Sequence, residues 1–129
     1  MFVPLEITGL TKVFQTTSGP YVAVQNVNAQ MREGEFVCIL GHSGCGKSTL
    51  LSILAGLQKA TYGGVVINGT QVDEPGTDRG VVFQTPSLLP WLSAGENVEL
   101  AAGRAFPKYS FKQRREHARK YMELLGIAD

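Results

Sequence analysis

The first 31 residues alternate between apolar and polar positions in two stretches, residues 5–14 and 21–31. Residues 16–20, which contain Gly19 and Pro20, lie between them and are typical of a turn. A period of two indicates strands with one buried face. The alternating apolar positions are Leu5, Ile7 and Gly9 in the first stretch, and Val22, Val24 and Val27 in the second. The pattern therefore predicts an antiparallel β region at the start of the chain.

The segments after residue 31 no longer alternate between apolar and polar positions. Residues 36–40 follow a polar turn and form an uninterrupted apolar run, which is typical of a strand covered on both faces in a parallel sheet. Residues 47–57 have almost no polar stripe, so we expect a buried helix there. Two further short strands are predicted at 65–67, before the Asn68-Gly69 turn, and at 80–84, with a loop over 70–78 between them.

The last third of the chain is predicted to be helical. Pro86 and Pro90 forbid regular structure just after residue 84, and residues 93–102 can form a short helix. A longer helix opens at Ser110 with Gln113 three residues later, a capping-box pattern, and Gly126 is its expected stop. Its helical apolar positions are Phe111, Ala118, Met122 and Leu125; its charged ones are Lys112, Arg114, Arg115, Glu116, Arg119 and Lys120. We interpret this basic helix as a solvated face, with binding of an anionic partner as the alternative.

The composition of the chain argues against several classes of function. The chain carries 12 basic and 11 acidic residues, a net charge of +1, so no positive field suited to nucleic acid is expected. Its apolar runs fall short of the ~20 residues that span a bilayer, and the stretch from Met1 to Glu6 does not resemble a signal peptide. We therefore expect a cytosolic protein. Cys38 and Cys45 lack a zinc-ligand spacing, and we interpret Cys38 as a core residue and Cys45 as a loop filler.

The strongest signal is a phosphate-binding loop between the apolar run and the first helix, where two glycines five residues apart precede Lys and Ser. Glycines let main-chain N–H groups approach phosphates closely, and the start of a helix attracts anions. Lys47 is expected to reach the β- and γ-phosphates, and the Ser48 hydroxyl to bind Mg²⁺. The predicted ATP-binding residues are Gly41, His42, Ser43, Gly44, Cys45, Gly46, Lys47, Ser48 and Thr49, of which His42 and Cys45 occupy free positions of the pattern.

Forty residues with two strands precede this loop, which disfavours the alternatives of a small GTPase or a P-loop kinase. With them, the chain resembles the ATP-binding subunit of an ABC transporter over essentially its whole length. The resemblance implies that Phe14 stacks on adenine, with an ordinary core aromatic as the alternative. It also implies that Gln84, in Val82-Phe83-Gln84, contacts Mg²⁺ together with Ser48 and contacts the attacking water as a catalytic residue.

The sequence around Gln84 resembles one branch of this family. Residues 78–84 (Asp-Arg-Gly-Val-Val-Phe-Gln) and 88–92 (Leu-Leu-Pro-Trp-Leu) are similar to bacterial importers of nitrate, cyanate, bicarbonate, sulfonates and taurine. The loop Gly-His-Ser-Gly-Cys-Gly favours the nitrate type. The resemblance implies a membrane permease partner that contacts the region from Gln84 to Trp91, with Trp91 either in the core or at that contact.

The resemblance also implies a second ATP-binding subunit, forming a dimer around ATP, and a peripheral position on the inner face of the membrane. The expected fold is α/β: an antiparallel β region (1–35), a P-loop NTPase core (36–84), and the Q-loop with the start of a helical subdomain (85–129). The family's signature motif, acidic second strand and switch histidine do not occur in these residues. We therefore expect the N-terminal half of such a subunit, with a non-catalytic nucleotide-binding fragment as the alternative.

Overall fold

The computed structural model describes residues 4–85 and 87–127, so the first three residues of the N-terminal stretch and Pro86 lie outside the described residues. The chain divides into two compact units, Met1–Gly80 and Val81–Asp129. Each unit has its own secondary structure and its own buried residues, and each is described separately below.

The first unit contains one antiparallel sheet with the strand order β2-β1-β3-β4. Its strands are β1 (Leu5–Thr16), β2 (Gly19–Met31), β3 (Tyr62–Ile67) and β4 (Thr70–Gln71). Thr16 pairs with Gly19, so a two-residue turn joins the first two strands. The antiparallel β region predicted from the alternation is confirmed. The short β4 lies in a segment that was predicted to be a loop.

A bulge in β1 changes which side chains face the core. The register with β2 shifts between Ile7 and Leu10, where Gly9 has a φ of 57° and donates its N–H to Asn28 Oδ1 at 2.8 Å. The parity that begins at Leu5 and Ile7 therefore does not continue at Gly9, and Leu10 becomes fully buried (0% exposed). An extra residue in one strand reverses the alternation beyond it.

Helix α1 (Lys47–Leu54) begins where the sequence predicts it. Ile53 packs with Ile7, Leu10 and Val24 of the first two strands and with a β3 residue, Val65, to form the buried core of this unit. The expectation of a wholly buried helix is wrong, because the side chain of Leu51 is 52% exposed. One stripe of α1 faces the sheet, and its other apolar residues do not.

Residues 36–40 do not form the predicted central strand. They pair with no strand in the described part of the chain, and Phe36 and Leu40 are 89% and 90% exposed. Cys38 is exposed as well, so its assignment to the core is wrong. An apolar run indicates that a segment can be buried, but a strand also needs a hydrogen-bonding neighbour. Both edges of β1 are already occupied, by β2 and β3.

The second unit is helical, with α2 (Ala94–Ala105) packed against α3 (Phe111–Leu124) through the buried Ala102 and Ala118. Both predicted helices are confirmed, and α2 extends three residues beyond its expected end. Each helix opens with a capping box, Ser93 with Glu96 and Ser110 with Gln113. The predicted stop at Gly126 is confirmed by its left-handed φ of 70° just beyond α3.

Other apolar positions in this unit differ from expectation. Residues 81–84 are not a strand, and Val82 is fully exposed. Of the helical apolar positions of α3, Phe111 and Leu125 are each 73% exposed. Trp91 is 74% exposed, so it does not belong to the core of this unit. Across the described ranges of the whole chain, the helices are too short or too polar to cross a membrane.

Candidate nucleotide-binding site

The loop before α1 ends in an uncapped helix terminus. Gly44 and Gly46 have left-handed φ values of 79° and 94°, and Gly46 precedes the first helical residue. No described side chain caps this helix, unlike α2 and α3, and its first turn carries no acidic residue. The first hydrogen bond to Gly46 comes from Leu50 N–H (2.9 Å), so the preceding N–H groups have no acceptor within the helix. Such a terminus attracts an anion.

Lys47 folds back over this loop. Its Nζ donates to the carbonyl oxygens of Gly41 (2.8 Å) and His42 (2.7 Å), and lies 3.4 Å from Cys45 Sγ. These contacts hold the ammonium group beside the loop whose backbone is expected to surround a phosphate. The positive charge therefore sits next to the uncapped start of α1, and the two features favour an anion at the same place.

A pocket of about 160 Å³ joins this loop to the β hairpin. The residues that line it come from β1, β2, the loop and the first turn of α1: Phe14, Tyr21, Ala23, Gly44, Gly46, Lys47, Ser48 and Thr49. The pocket thus brings an aromatic ring of the hairpin together with the phosphate loop. None of the described residues that line it is acidic.

The aromatic end of the pocket is built by the hairpin register. Phe14 of β1 pairs directly with Tyr21 of β2, two pairs before the Thr16–Gly19 pair that closes the turn. Lys12 Nζ lies 5.1 Å from the centroid of the Phe14 ring, a cation–π contact. The sequence analysis missed Tyr21. Counting pairs back from a two-residue turn would have found it, because that turn fixes the register of the hairpin.

The side chains of His42 and Cys45 contact other atoms of the loop. The Nδ1 atom of His42 lies 2.8 Å from the Ser43 carbonyl oxygen, and Cys45 N–H donates to the His42 carbonyl at 3.4 Å. The thiol of Cys45 is free and exposed. A side chain at Gly41 would meet Cys45 Sγ at 2.5 Å, so glycine is required there unless the cysteine turns away. The two side chains at free positions of the pattern therefore pack within the loop.

Gln84 belongs to the second unit, where its side chain is exposed. Its predicted contacts with Mg²⁺ and with water stay predictions from the resemblance. Ser48 lies in the first turn of α1 and lines the pocket, as a metal-binding hydroxyl at this place would.

The basic helix α3 is balanced by carboxylates within its own unit. Arg115 pairs with Glu99 of α2 at 3.3 Å, and Arg119 pairs with Glu123 one turn later at 2.9 Å. Lys112 lies 3.9 Å from Glu116. These contacts favour the interpretation of α3 as a solvated, ion-paired face.

The loop, the free helix terminus and the aromatic neighbour define a P-loop nucleotide-binding protein. The family is shown by sequence: the model of the family described as "ABC transporter" matches residues 24–129, and the chain belongs to that family. The resemblance inferred from the sequence is thereby confirmed.

Individual relatives are named as nitrate or bicarbonate transport proteins. The chain is 48% identical over 118 residues to the nitrate import ATP-binding protein NrtD of Synechococcus elongatus, covering 92% of this chain and 43% of the relative. It is 43% identical over 112 residues to the nitrate transport protein NasD of Klebsiella oxytoca (87% and 43% covered). It is 42% identical over 125 residues to the bicarbonate transport ATP-binding protein CmpD of Synechococcus elongatus (97% and 45% covered). The chain therefore spans less than half the length of these relatives.

Solved structures match the fold. The ATP-binding cassette MJ0796, in a dimeric post-hydrolysis state bound to ADP and Pi, superposes with a TM-score of 0.81 at 34% identity. The match covers 95% of this chain and 57% of the solved one. The predicted fold class, an α/β cassette with an antiparallel β region before the P-loop, is confirmed.

Proposed function

We propose that this chain is the nucleotide-binding part of an ABC importer subunit that couples ATP hydrolysis to the uptake of a small anion such as nitrate or a sulfonate. The observation that carries the proposal is the pocket in which Phe14, Lys47 and the uncapped start of α1 meet. The aromatic ring matches the adenine base, and the lysine and the helix start both match the negatively charged triphosphate.

The phosphates are assigned to the loop from Gly41 to Thr49. Main-chain N–H groups at the start of α1 donate to phosphate oxygens, and Lys47 supplies the point charge. The ammonium group gives up part of its bonding to the Gly41 and His42 carbonyls when a phosphate binds. Phe14, with Tyr21 beside it, provides a face for adenine.

The site fits Mg²⁺ bound in the manner typical of triphosphate complexes. Mg²⁺ keeps water and phosphate oxygens in most of its positions and needs few protein ligands. Residues 4–85 and 87–127 contain no group of three or more His, Cys, Asp or Glu that could hold a metal alone. Ser48 would hold the ion through its hydroxyl, and the contact of Gln84 with Mg²⁺ stays a proposal carried over from the family resemblance. The bound ion neutralises charge on the phosphates during phosphoryl transfer.

Hydrolysis by this chain alone is expected to be inefficient. Phosphoryl transfer depends on positioning and charge stabilisation, and each part must be in place. Gln84 is proposed to orient the water, but the described residues that line the pocket include no carboxylate to polarise it. The competing proposal is a nucleotide-binding fragment without transport activity of its own.

A phosphate-release assay on the purified chain tests the expected inefficiency of hydrolysis, with Lys47→Ala as the blank. We expect release no faster than the blank. Turnover well above the blank would show that a carboxylate has been misplaced, and Asp73, Glu74 and Asp78 would be the first to substitute.

The proposed partners are a second ATP-binding subunit and a membrane permease. The solved relative MJ0796 is dimeric in a post-hydrolysis state, which supports the first. For the second, we propose that the region from Gln84 to Trp91 contacts the permease, because Leu88 and Trp91 present large apolar side chains to solvent. The chain would then lie on the inner face of the membrane through its permease.

The choice of anion rests on relatives whose names state nitrate or bicarbonate. The test is uptake of labelled nitrate by cells that carry the transporter containing this chain, with unlabelled nitrate, bicarbonate and taurine as competitors. We expect unlabelled nitrate to inhibit the uptake strongly, and bicarbonate and taurine not to do so. Uptake should be lost in Lys47→Ala and retained in Lys59→Ala, the control at an exposed lysine. Uptake unaffected by Lys47→Ala would overturn the coupling to ATP, whereas competition by bicarbonate or taurine alone would overturn the nitrate assignment.

A further inference from the structure

A rigid turn in the second unit presents the single tryptophan of the chain. Residues 89–92 form the turn, in which Leu92 N–H donates to the Leu89 carbonyl at 3.1 Å. Pro90 occupies its second position, where the fixed φ of proline is favoured. Trp91 follows at the tip and is 74% exposed, with Leu88 beside the turn 63% exposed. A large aromatic side chain is thus displayed on a backbone with restricted freedom.

One side chain of α2, Asn97, is bonded to both ends of this turn. Its Oδ1 accepts the Leu89 N–H at 2.8 Å. Its Nδ2 lies within hydrogen-bonding distance of the carbonyl oxygens of Leu89 (3.2 Å), Leu92 (3.2 Å) and Ser93 (2.9 Å). Two N–H hydrogens are thus shared among three acceptors. Asn97 is partly buried at the Leu89 and Leu92 contacts, where hydrogen bonds are shielded from water.

The amide of asparagine matches this arrangement. The turn offers one donor, from Leu89, and several carbonyl acceptors, so the side chain must both accept and donate. An aspartate has the same shape but would place a carboxylate against the carbonyl oxygens of Leu89, Leu92 and Ser93. An alanine would remove all of these side-chain hydrogen bonds and leave the Leu89 N–H to water.

We propose that Asn97 is a positioning residue that holds Trp91 ready for the permease contact. This inference rests on the proposed function for the identity of the partner, an apolar segment of the permease that covers Trp91 and Leu88. The physical advantage is preorganisation: an anchor that is already ordered loses less conformational freedom on binding. Asn97 itself touches neither nucleotide nor partner in this role, and acts through the turn.

Two measurable properties of Trp91 test this role. Trp91 is the only tryptophan, so its fluorescence anisotropy reports the turn alone, and its amide order parameter can be measured by NMR relaxation. The variants are Asn97→Ala and Asn97→Asp, and the matched control on α2 is Arg104→Ala, an exposed residue in the last turn of the helix. Helical content from circular dichroism establishes that each variant is folded.

We expect the Trp91 order parameter to fall from about 0.85 to below about 0.6 in both Asn97 variants, and to stay unchanged in Arg104→Ala. The aspartate variant separates positioning from a role in helix stability. A negative charge near the start of α2 favours the helix dipole, so a role confined to the helix predicts that Asn97→Asp is at least as ordered as the parent. Unchanged Trp91 order in a folded Asn97→Asp chain would overturn the proposal.

The functional arm uses the assembled transporter in membranes. We expect Trp91→Ala and Asn97→Asp each to lower permease-stimulated ATP hydrolysis several-fold, without changing ATP affinity. A mobile turn combined with parent-like stimulation in Asn97→Asp would overturn the positioning role while leaving the permease contact standing. Parent-like stimulation in Trp91→Ala would instead overturn the permease contact in the proposed function.

Discussion

Gly46, the residue before helix α1, lies directly against Ala23 of strand β2. A β-carbon built at position 46 would overlap the Ala23 carbonyl oxygen and would lie 3.1 Å from Val24 Cγ2. The phosphate loop and the β hairpin therefore approach each other through bare backbone. This contact explains how one pocket holds both the loop and Phe14, and it makes the glycine a steric requirement as well as a conformational one.

The first prediction compares two glycines of the same loop. Gly44 and Gly46 both have left-handed φ values, but only Gly46 has a close neighbour; nothing lies within 4 Å of a β-carbon at position 44. We expect Gly44→Ala to lower the free energy of unfolding by about 1–2 kcal/mol, the usual cost of a left-handed alanine. Gly46→Ala should cost more, because the Ala23 carbonyl must also move. Urea denaturation measures both; equal losses would contradict the close approach.

The second prediction concerns Phe14. Stacking of a base on an aromatic ring is worth about 1–3 kcal/mol, so Phe14→Ala should weaken ATP binding by about 5- to 150-fold. Inorganic tripolyphosphate lacks a base and should bind the parent and the variant equally. Phe14→Tyr keeps the ring and should bind ATP as the parent does. If tripolyphosphate binding falls together with ATP binding, Phe14 supports the loop rather than the adenine.

The third prediction is a pH dependence in α2. The Ser93 backbone N–H, donating to Glu96 at 2.8 Å, and then the Ser93 hydroxyl hold the pKa of Glu96 below its ordinary value. A lowered pKa means that the stabilisation is present above the pKa of the unfolded chain and is lost as the pH falls through that of the folded chain. We expect the hydrogen-exchange protection of α2 to decrease below about pH 4.

The capping box of α3 is a control for this effect. It has the same geometry but uses Gln113, which does not titrate. The first turn of α3 should therefore lack the loss of protection that a capping carboxylate causes, and Glu96→Gln should remove that loss from the first turn of α2. A loss of equal size in Glu96→Gln would assign the pH dependence to another group.

Local patterns predicted the local features of this structure. The hairpin, the start of α1 and the capping box of Ser110 with Gln113 depend on residues a few positions apart, and all three predictions were correct. Residues 36–40 and 80–84 were predicted as strands and are not, because pairing depends on a neighbour that the segment itself does not encode. Register was intermediate: the bulge at Gly9 reversed the predicted parity, whereas the pairing of Phe14 with Tyr21 could have been counted from the turn.

The candidate site also combines features that local sequence predicts with contacts that only the fold creates. The loop from Gly41 to Thr49 could be identified from residue types alone, because its chemistry requires glycines, a lysine and a hydroxyl at fixed spacing. The packing of Gly46 on Ala23 could not, since it joins residues 23 positions apart through the fold. The hydrogen bonds of Asn97 to the turn at 89–92 also had no sequence signal, because asparagine at the start of a helix has many roles.

The central claim, that the loop from Gly41 to Thr49 binds a nucleoside triphosphate, is tested most directly by calorimetric titration of MgATP into the chain and into Lys47→Ala. Removing the ammonium group leaves the backbone and loses the charge that Nζ holds beside the Gly41 and His42 carbonyls. The account predicts that ATP affinity falls at least tenfold, about 1.4 kcal/mol, and that Lys59→Ala binds as the parent does. Superimposable titration curves for the parent and Lys47→Ala would contradict it.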